Sequence, residues 1–204
     1  MGMRRRERRT GSAADLLVVG LGNPGDDYVS TRHNAGVWVV EELVERHGHR
    51  LRRARKESAL VDEARVDDKR LVLAVPSTYM NESGRAVGPL VRRHGIDDLV
   101  HLVVVHDEID LPVGRMKVKT GGGLAGHNGL KSIRSHLRSD GFTRIRIGVG
   151  RPDQTPKGGD YVLKRPGKAE RADLERIVHR AADAVEHVLA FGAESAMGHF
   201  NAVD

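Results

Sequence analysis

Two residues of this chain combine a suitable side chain with a suitable setting for proton chemistry. His33 stands near the start of a helix predicted over Thr31–His47. The partial positive charge of a helix N-terminus disfavours an imidazolium and leaves a neutral ring able to take a proton. Position singles it out, since the chain has 11 histidines. Asp107 directly follows Val100–His106, an apolar run that reads as a strand buried on both faces. Strand ends of α/β sheets are where ligands and reacting groups gather, so a carboxylate there can hold and orient an imidazole. Its neighbours Glu108 and Asp110 read as solvated acids of the following turn. The sequence contains no G-x-S-x-G elbow, no cysteine and no H-E-x-x-H pair, so it offers none of the common nucleophile or zinc motifs.

Asparagines and glycines supply complementary groups. Asn23 lies within Gly20-Leu-Gly-Asn-Pro-Gly25. Asn81 ends Tyr79-Met80-Asn81, just after a strand predicted over Arg70–Val75. Asn128 opens a helix predicted over His127–Leu137. An amide offers one donor group and one acceptor, which fits a peptide or a base edge; taken alone, Asn81 reads as a helix cap. Gly121–Gly123 and Gly126 put backbone N–H groups ahead of the His127 helix, which suits a phosphate or an oxyanion. Lys117 and Lys119 share one face of a strand predicted over Val113–Lys119, and Arg144 and Arg146 share one face of Thr143–Val149.

Gly20–Gly25 also spells G-x-G-x-x-G after the apolar run Leu16–Val19, the form of a dinucleotide fingerprint. That motif opens directly into a helix whose N-terminus holds a pyrophosphate. Here Asp26 and Asp27 continue the turn and would repel one, and helix-capping residues come only at Ser30 or Thr31. Glu41 and Glu42 fall inside a helical pattern, not at the strand end where a ribose-binding acid belongs.

The elements that must position these residues alternate. Predicted strands are Leu16–Leu21, Leu60–Val66, Arg70–Val75, Val100–His106, Val113–Lys119 and Thr143–Val149. Predicted helices are Thr31–His47, Gly84–His94, His127–Leu137 and Lys168–Leu189. The last is marked by Leu174, Ile177, Val178, Ala181, Val185, Val188 and Leu189 at helical spacing. Pro89 makes the second helix either start late or kink. Asp67–Lys69 reads as a hairpin turn, which makes the sheet mixed. The fold expected is α/β: a single three-layer α/β/α domain over residues 15–204, with a mixed, mostly parallel central sheet. Residues 1–14 form a basic tail expected to be disordered, and Arg151–Lys157 a mobile surface loop.

Net charge is +6, with +4 in residues 1–14 and +7 in residues 107–168. Concentrated positive charge in the folded part points to a polyanion, nucleic acid being the commonest. No apolar run is long enough to span a bilayer, the basic N-terminus is not followed by the apolar stretch of a secretory signal, and no cysteine is present, which suits a reducing cytosol.

Taken in order, Gly20–Gly25, Tyr28 with Thr31–Gly36, Thr78–Gly84, His106–Pro112, Gly121–Gly123 and Gly126–Lys131 resemble the bacterial-type peptidyl-tRNA hydrolases over roughly Leu16 to Phe200. The resemblance implies hydrolysis of the ester between a peptide and the 3′-terminal ribose of peptidyl-tRNA, freeing tRNA for translation and rescuing ribosomes. It implies His33 as catalytic base and Asp107 as the group that orients it. Asn23, Tyr28, Tyr79, Met80, Asn81 and Asn128 then line the substrate cleft, and Lys117, Lys119 and Arg146 meet tRNA phosphates. It further implies a cytoplasmic monomer with no cofactor, no metal and no membrane partner. One departure is visible: the family usually has Gly-Gly-Gly-His-Gly-Gly-His-Asn-Gly, where this chain has Leu124-Ala125. Two other classes stay distinguishable. A nucleotide-dependent oxidoreductase would bind nicotinamide or flavin. A non-catalytic RNA-binding module would leave the ester intact, and an aromatic content of 3% disfavours a base-stacking platform.

Overall fold

Leu16–Gly20 carries no polar side chain, so it belongs inside a sheet covered on both faces. The computed structural model, which describes residues 12–151 and 158–202, places this strand, β1, at the centre of a seven-stranded sheet. In chain order the other elements are α1 (Ala35–Arg46), β2 (Arg52–Ala54), β3 (Ala59–Val66), β4 (Lys69–Pro76), α2 (Ser83–His94), β5 (Leu102–Glu108) and β6 (Met116–Thr120). They are followed by α3 (Asn128–Leu137), β7 (Thr143–Gly148), α4 (Gly158–Val162), α5 (Lys168–Phe191) and α6 (Ala193–Asn201). The strand order is β2-β3-β4-β1-β5-β7-β6. Strands β4, β1, β5 and β7 run parallel, and β3, β2 and β6 join by antiparallel pairing. The expected hairpin turn joins β3 to β4, with Val66 opposite Lys69.

Alternate residues of the central strands feed two cores. Leu16, Val18, Leu71, Leu73, Val103 and Val105 face α1 and α5, whereas Leu17, Val19, Val72 and Val104 face α2 and α3. The result is the three-layer α/β/α architecture with a mixed sheet. The apolar stripe expected on α5 is buried from Leu174 to Leu189. Among the described residues, no helix is long and apolar enough to cross a membrane.

Several boundaries differ from expectation for physical reasons. The helix expected from Thr31 opens as a 3₁₀ turn, Arg32–Asn34, before α1 begins at Ala35. The strand expected from Val100 begins at Leu102, because the Asp98 carboxylate caps a 3₁₀ turn by accepting from the Val100 N–H at 3.0 Å. At its other end the strand runs on to Glu108 in register with β7, which puts Asp107 inside β5. Strand β6 starts three residues later than expected, after a turn at Gly114 with φ +80°. Helix α2 does not start late: Pro89 lies inside it. Sequence patterns missed β2, α4 and α6. Strand β2 has no apolar alternation and exists through its pairing with β3. Helix α6 is short and rich in small residues. It is anchored by Ala196 and Phe200 in the core, and by Asn201, whose amide accepts from the Val118 N–H and donates to the Val118 carbonyl, both at 2.8 Å. A side chain thereby occupies the open hydrogen bonds of the edge strand β6. Residues 1–11 of the expected tail and residues 152–157 of the expected mobile loop lie outside the described residues. Ala14 is buried, and its N–H donates to the His94 carbonyl at 2.8 Å.

The N-terminus of α1 presses against the ends of β1 and β5. A Cβ on Gly36 would lie 2.2 Å from the Val105 carbonyl oxygen, and one on Gly20 would lie 2.2 Å from the Gly36 carbonyl oxygen. Gly36→Ala is therefore expected to lower stability by about 1–3 kcal/mol through overpacking. Gly198 in α6 has open space around it, so Gly198→Ala is expected to raise stability by about 0.5–1 kcal/mol. Urea unfolding midpoints of the two variants check both signs.

Candidate active site

Asp107, near the end of β5, is 3% exposed. A carboxylate so buried needs partners, and two imidazoles supply them. His33 approaches through Nδ1, 2.8 Å from Oδ1 and 3.0 Å from Oδ2. His127 approaches through Nε2, 3.0 Å from Oδ1. Burial alone would raise the Asp107 carboxyl; the charges and N–H groups of His33 and His127 outweigh it and hold the group well below the usual carboxylate range. A carboxylate only accepts, so the His33 proton sits on Nδ1 and its Nε2 lone pair is left for proton chemistry.

Each member is placed by its own local structure. His33 belongs to the 3₁₀ turn between β1 and α1. Its neighbour Arg32 is buried and donates to both carboxylate oxygens of Glu170 at 2.5 Å, and to the Lys164 carbonyl at 3.0 Å. The Arg32 guanidinium also lies 4.2 Å from the centre of the Tyr161 ring. On its other side, Asn34 accepts from the Asn23 N–H at 2.9 Å and donates to the Asn23 carbonyl at 3.0 Å. The Asn23 Oδ1 in turn accepts from the Met80 N–H at 2.8 Å. Those bonds tie the β1–α1 loop, the His33 turn and the Met80 turn into one unit. Gly129 completes the packing: a Cβ there would lie 2.6 Å from the Met80 Sδ.

A cleft of about 640 Å³ opens over this unit. Asn23, His33, Tyr79, Met80, Asn81, Asp107 and Asn128 line it, which brings together seven of the residues singled out from sequence. Tyr28 is half-buried on the preceding turn and is not among the lining residues. The far wall is Gly159, Asp160, Val162 and Leu163, on and just after the short helix α4. Sequence reasoning missed that wall, because a five-residue helix after a sequence rich in Pro and Gly carries no periodic signal. It also missed Arg32 and His127, although both stand beside residues it had marked.

The basic residues divide by environment. Lys117 and Lys119 are exposed on β6, in register with Arg146 and Arg144 of β7. Arg146 is half-buried and pairs with Glu108 at 3.0 Å. Glu108 is buried, so it is not the solvated turn acid expected. Its position inside β5 leaves it dry, and Arg146 compensates its charge. Asp110 is exposed and pairs with Arg151 at 2.8 Å. Arg144 is 2% exposed and donates to the carbonyls of Gly121 and Gly123, holding the glycine loop from beneath.

His33, Asp107 and His127 offer three donor atoms within 4.8 Å of one another, enough to ask whether they hold a metal ion. Both facing imidazole nitrogens lie at hydrogen-bond distance from the carboxylate, which is the geometry of N–H donors sharing an acceptor.

A family model described as peptidyl-tRNA hydrolase matches residues 17–204. The chain belongs to the peptidyl-tRNA hydrolase family. A Rubrobacter xylanophilus protein named peptidyl-tRNA hydrolase is 50% identical over 187 residues, covering 90% of this chain and 99% of that protein. One from Mycolicibacterium vanbaalenii is 45% identical over 190 residues, covering 93% of this chain and 98% of that protein. The crystal structure of peptidyl-tRNA hydrolase from Acinetobacter baumannii superposes with a TM-score of 0.87 at 34% identity, covering 95% of this chain and 98% of that one. Against the glycine-rich segment usual in peptidyl-tRNA hydrolases, Leu124 is buried in the core on the α2–α3 side, and Ala125 takes φ +47°. The first change anchors the loop, and the second places a Cβ in a left-handed conformation.

Asp107 also links stability to pH. Its folded-state acidity is strengthened, so the stabilisation it gives is complete above the ordinary carboxylate value of about pH 4 and drains as pH falls towards the folded value. Asp107→Asn is expected to be less stable than the parent at pH 7, with the gap shrinking below about pH 4. Urea unfolding of both proteins at pH 7 and at pH 3 measures the two gaps.

Proposed function

We propose that this chain hydrolyses the ester between a peptide and the 3′-terminal ribose of peptidyl-tRNA, with His33 as general base. The observation that carries the reading is His33 Nδ1 at 2.8 Å from the buried Asp107 carboxylate, on the floor of a cleft. A ring held in that tautomer presents Nε2 to a water molecule. As the water attacks the ester carbonyl, Nε2 takes its proton, and the Asp107 carboxylate stabilises the imidazolium that forms. The leaving group is the ribose hydroxyl, which recovers the proton from His33.

The tetrahedral oxyanion needs donors. The Asn128 amide stands at the N-terminus of α3, where the helix field favours negative charge. Asn23 spends its Oδ1 on Met80, so Nδ2 is what it presents to the cleft. Tyr79 and Asn81 would flank the esterified nucleotide or the peptide. An ester is labile enough that neither a metal nor a covalent intermediate is required, and the enzyme works without a cofactor in this reading. Lys117, Lys119 and Arg146 would meet the phosphates of the acceptor stem. Such an enzyme acts as a monomer in the cytoplasm, recycling tRNA during translation and rescuing ribosomes.

His33→Ala is expected to reduce single-turnover release of peptide from peptidyl-tRNA by at least about 100-fold, the low end of what general-base catalysis supplies. Near-parental rates in that variant would overturn the assignment, and retention of tRNA binding without release by the parent would favour the RNA-binding module instead. Lys117→Ala with Lys119→Ala is expected to weaken tRNA binding and flatten the slope of log affinity against log salt by about one to two. Filter-binding titrations between 50 mM and 200 mM salt test this, and an unchanged slope refutes the phosphate role.

A further inference from the structure

His127 has two duties, and one ring serves both. As the residue preceding α3, its Nδ1 accepts from the Leu130 N–H at 3.4 Å, capping the helix. A ring nitrogen that accepts an N–H carries no proton. The ring proton must then sit on Nε2, which faces the Asp107 Oδ1 at 3.0 Å. Cap and carboxylate together select a neutral imidazole with Nε2–H.

The ring is also held from behind. His106 is fully buried on β5, and its Nδ1 lies 2.7 Å from the Asp107 carbonyl, an acceptor, so that nitrogen donates. Its ring meets His127 edge-on, with centres 4.9 Å apart and planes at 70°. On the other side the His33 ring centre is 5.2 Å from that of His127. Among the described residues, the other charged groups near the cluster include Arg144, which acts on His106, the Glu108–Arg146 pair beside Asp107, and Asp160, which lines the same cleft.

We propose that His127 is a positioning residue: as a neutral Nε2–H imidazole it makes the second N–H bond to Asp107, so one ring sets both the cap of α3 and the orientation of His33. His33 spans both oxygens and His127 holds Oδ1 as well, and with two rings bonded to it the carboxylate is restrained from turning about its own axis. The bond from His127 also withdraws part of the carboxylate charge from His33. The same ring fixes where Asn128, the next residue, enters the cleft. This inference rests on the His33–Asp107 reading above.

Two substitutions separate the duties, because each keeps one nitrogen's function. Glutamine places Nε2 where the imidazole Nε2 stood, keeping the donor and losing the cap. Asparagine places Oδ1 where Nδ1 stood, keeping a strong cap and losing the donor. In peptidyl-tRNA hydrolysis, His127→Asn is expected to keep parental stability and KM while kcat falls at least about tenfold, a part of what a general base supplies. Its acid limb should move to higher pH, because the undivided carboxylate charge holds the proton on His33 more tightly. His127→Gln is expected to recover most of kcat and to show the stability loss instead. A parental kcat in His127→Asn overturns the proposal and leaves His127 as a cap alone; equal kcat losses in both variants overturn it too, since the donor kept by glutamine would then make no difference. If His127→Gln fails to fold, His127→Asn decides. A readout independent of turnover is the ¹⁵N NMR of the imidazoles at pH 8, where His127 should carry its proton on Nε2. A proton on Nδ1 overturns the inference, and this readout stands even if the parent protein releases no peptide, which would refute the proposed function alone.

Discussion

The structure depends on a carboxylate buried at the end of β5. A charge in that position is tolerated only when fully paired, since its desolvation costs several kcal/mol. Asp107 therefore requires two N–H donors from elements distant in sequence, His33 before α1 and His127 before α3. Each of these must arrive at a fixed place, and the surrounding architecture follows from that demand. Strand β5 needs β1 and β7 on either side to keep its own backbone satisfied. Helix α1 must come close to β1 and β5, and Gly20, Gly22 and Gly36 permit the approach. The Arg32–Glu170 pair clamps the His33 turn to the start of α5. The fold and the site are thus two descriptions of one constraint, which is where the charge of Asp107 can be neutralised.

Part of this was legible in the chain itself. The continuously apolar β1 and β5 and the periodic stripe of α5 announced a three-layer α/β fold. His33 and Asp107 were marked by their places at element ends. The glycines of Gly20–Gly25 show how a correct pattern can carry a different reason. Gly20, Gly22 and Gly25 spell the form of a dinucleotide turn, yet Gly20 and Gly22 are tight against Gly36, Val37, Asn34 and Val40. They allow a helix to approach a strand, and no phosphate is needed to explain them. What sequence could not reveal were side chains whose meaning comes only from tertiary neighbours. Glu108 reads as a turn acid until β5 extends through it and Arg146 meets it. Arg32, beside His33, carries no sequence mark of its role, which comes from Glu170, 138 residues away. Strand β2 and helix α6 lack periodicity and exist because other elements hold them.

The loop between β6 and α3 shows the same interplay locally. Its conformation is set by left-handed residues at Gly121, Gly122, Ala125 and Gly126. Arg144 fastens its carbonyls from below, and buried Leu124 fastens it from above. An alanine in the left-handed region costs about 1–2 kcal/mol relative to its preferred conformations. Burying Leu124 returns roughly 1.5–3 kcal/mol of hydrophobic stabilisation. The pair therefore sets a core contact against a left-handed backbone position, in a loop whose Ala125, Gly126, His127 and Asn128 line the cleft.

Charge along the chain overstates the field this face presents. The +7 of residues 107–168 counts Arg144, Arg146 and Arg151 equally with Lys117 and Lys119. Yet Arg144 is buried against carbonyls, and Arg146 and Arg151 are paired with Glu108 and Asp110. A paired guanidinium adds little net positive field at a distance, because its partner acid cancels it, whereas the charge of an unpaired exposed lysine is not cancelled in this way. The exposed lysines of β6 would thus dominate long-range attraction of a polyanion. Arg146, held by Glu108, would act at short range: a phosphate reaching it would compete with Glu108 for the same guanidinium. Recognition of nucleic acid on this face would accordingly divide into a salt-sensitive contribution from Lys117 and Lys119 and a geometric one from Arg146.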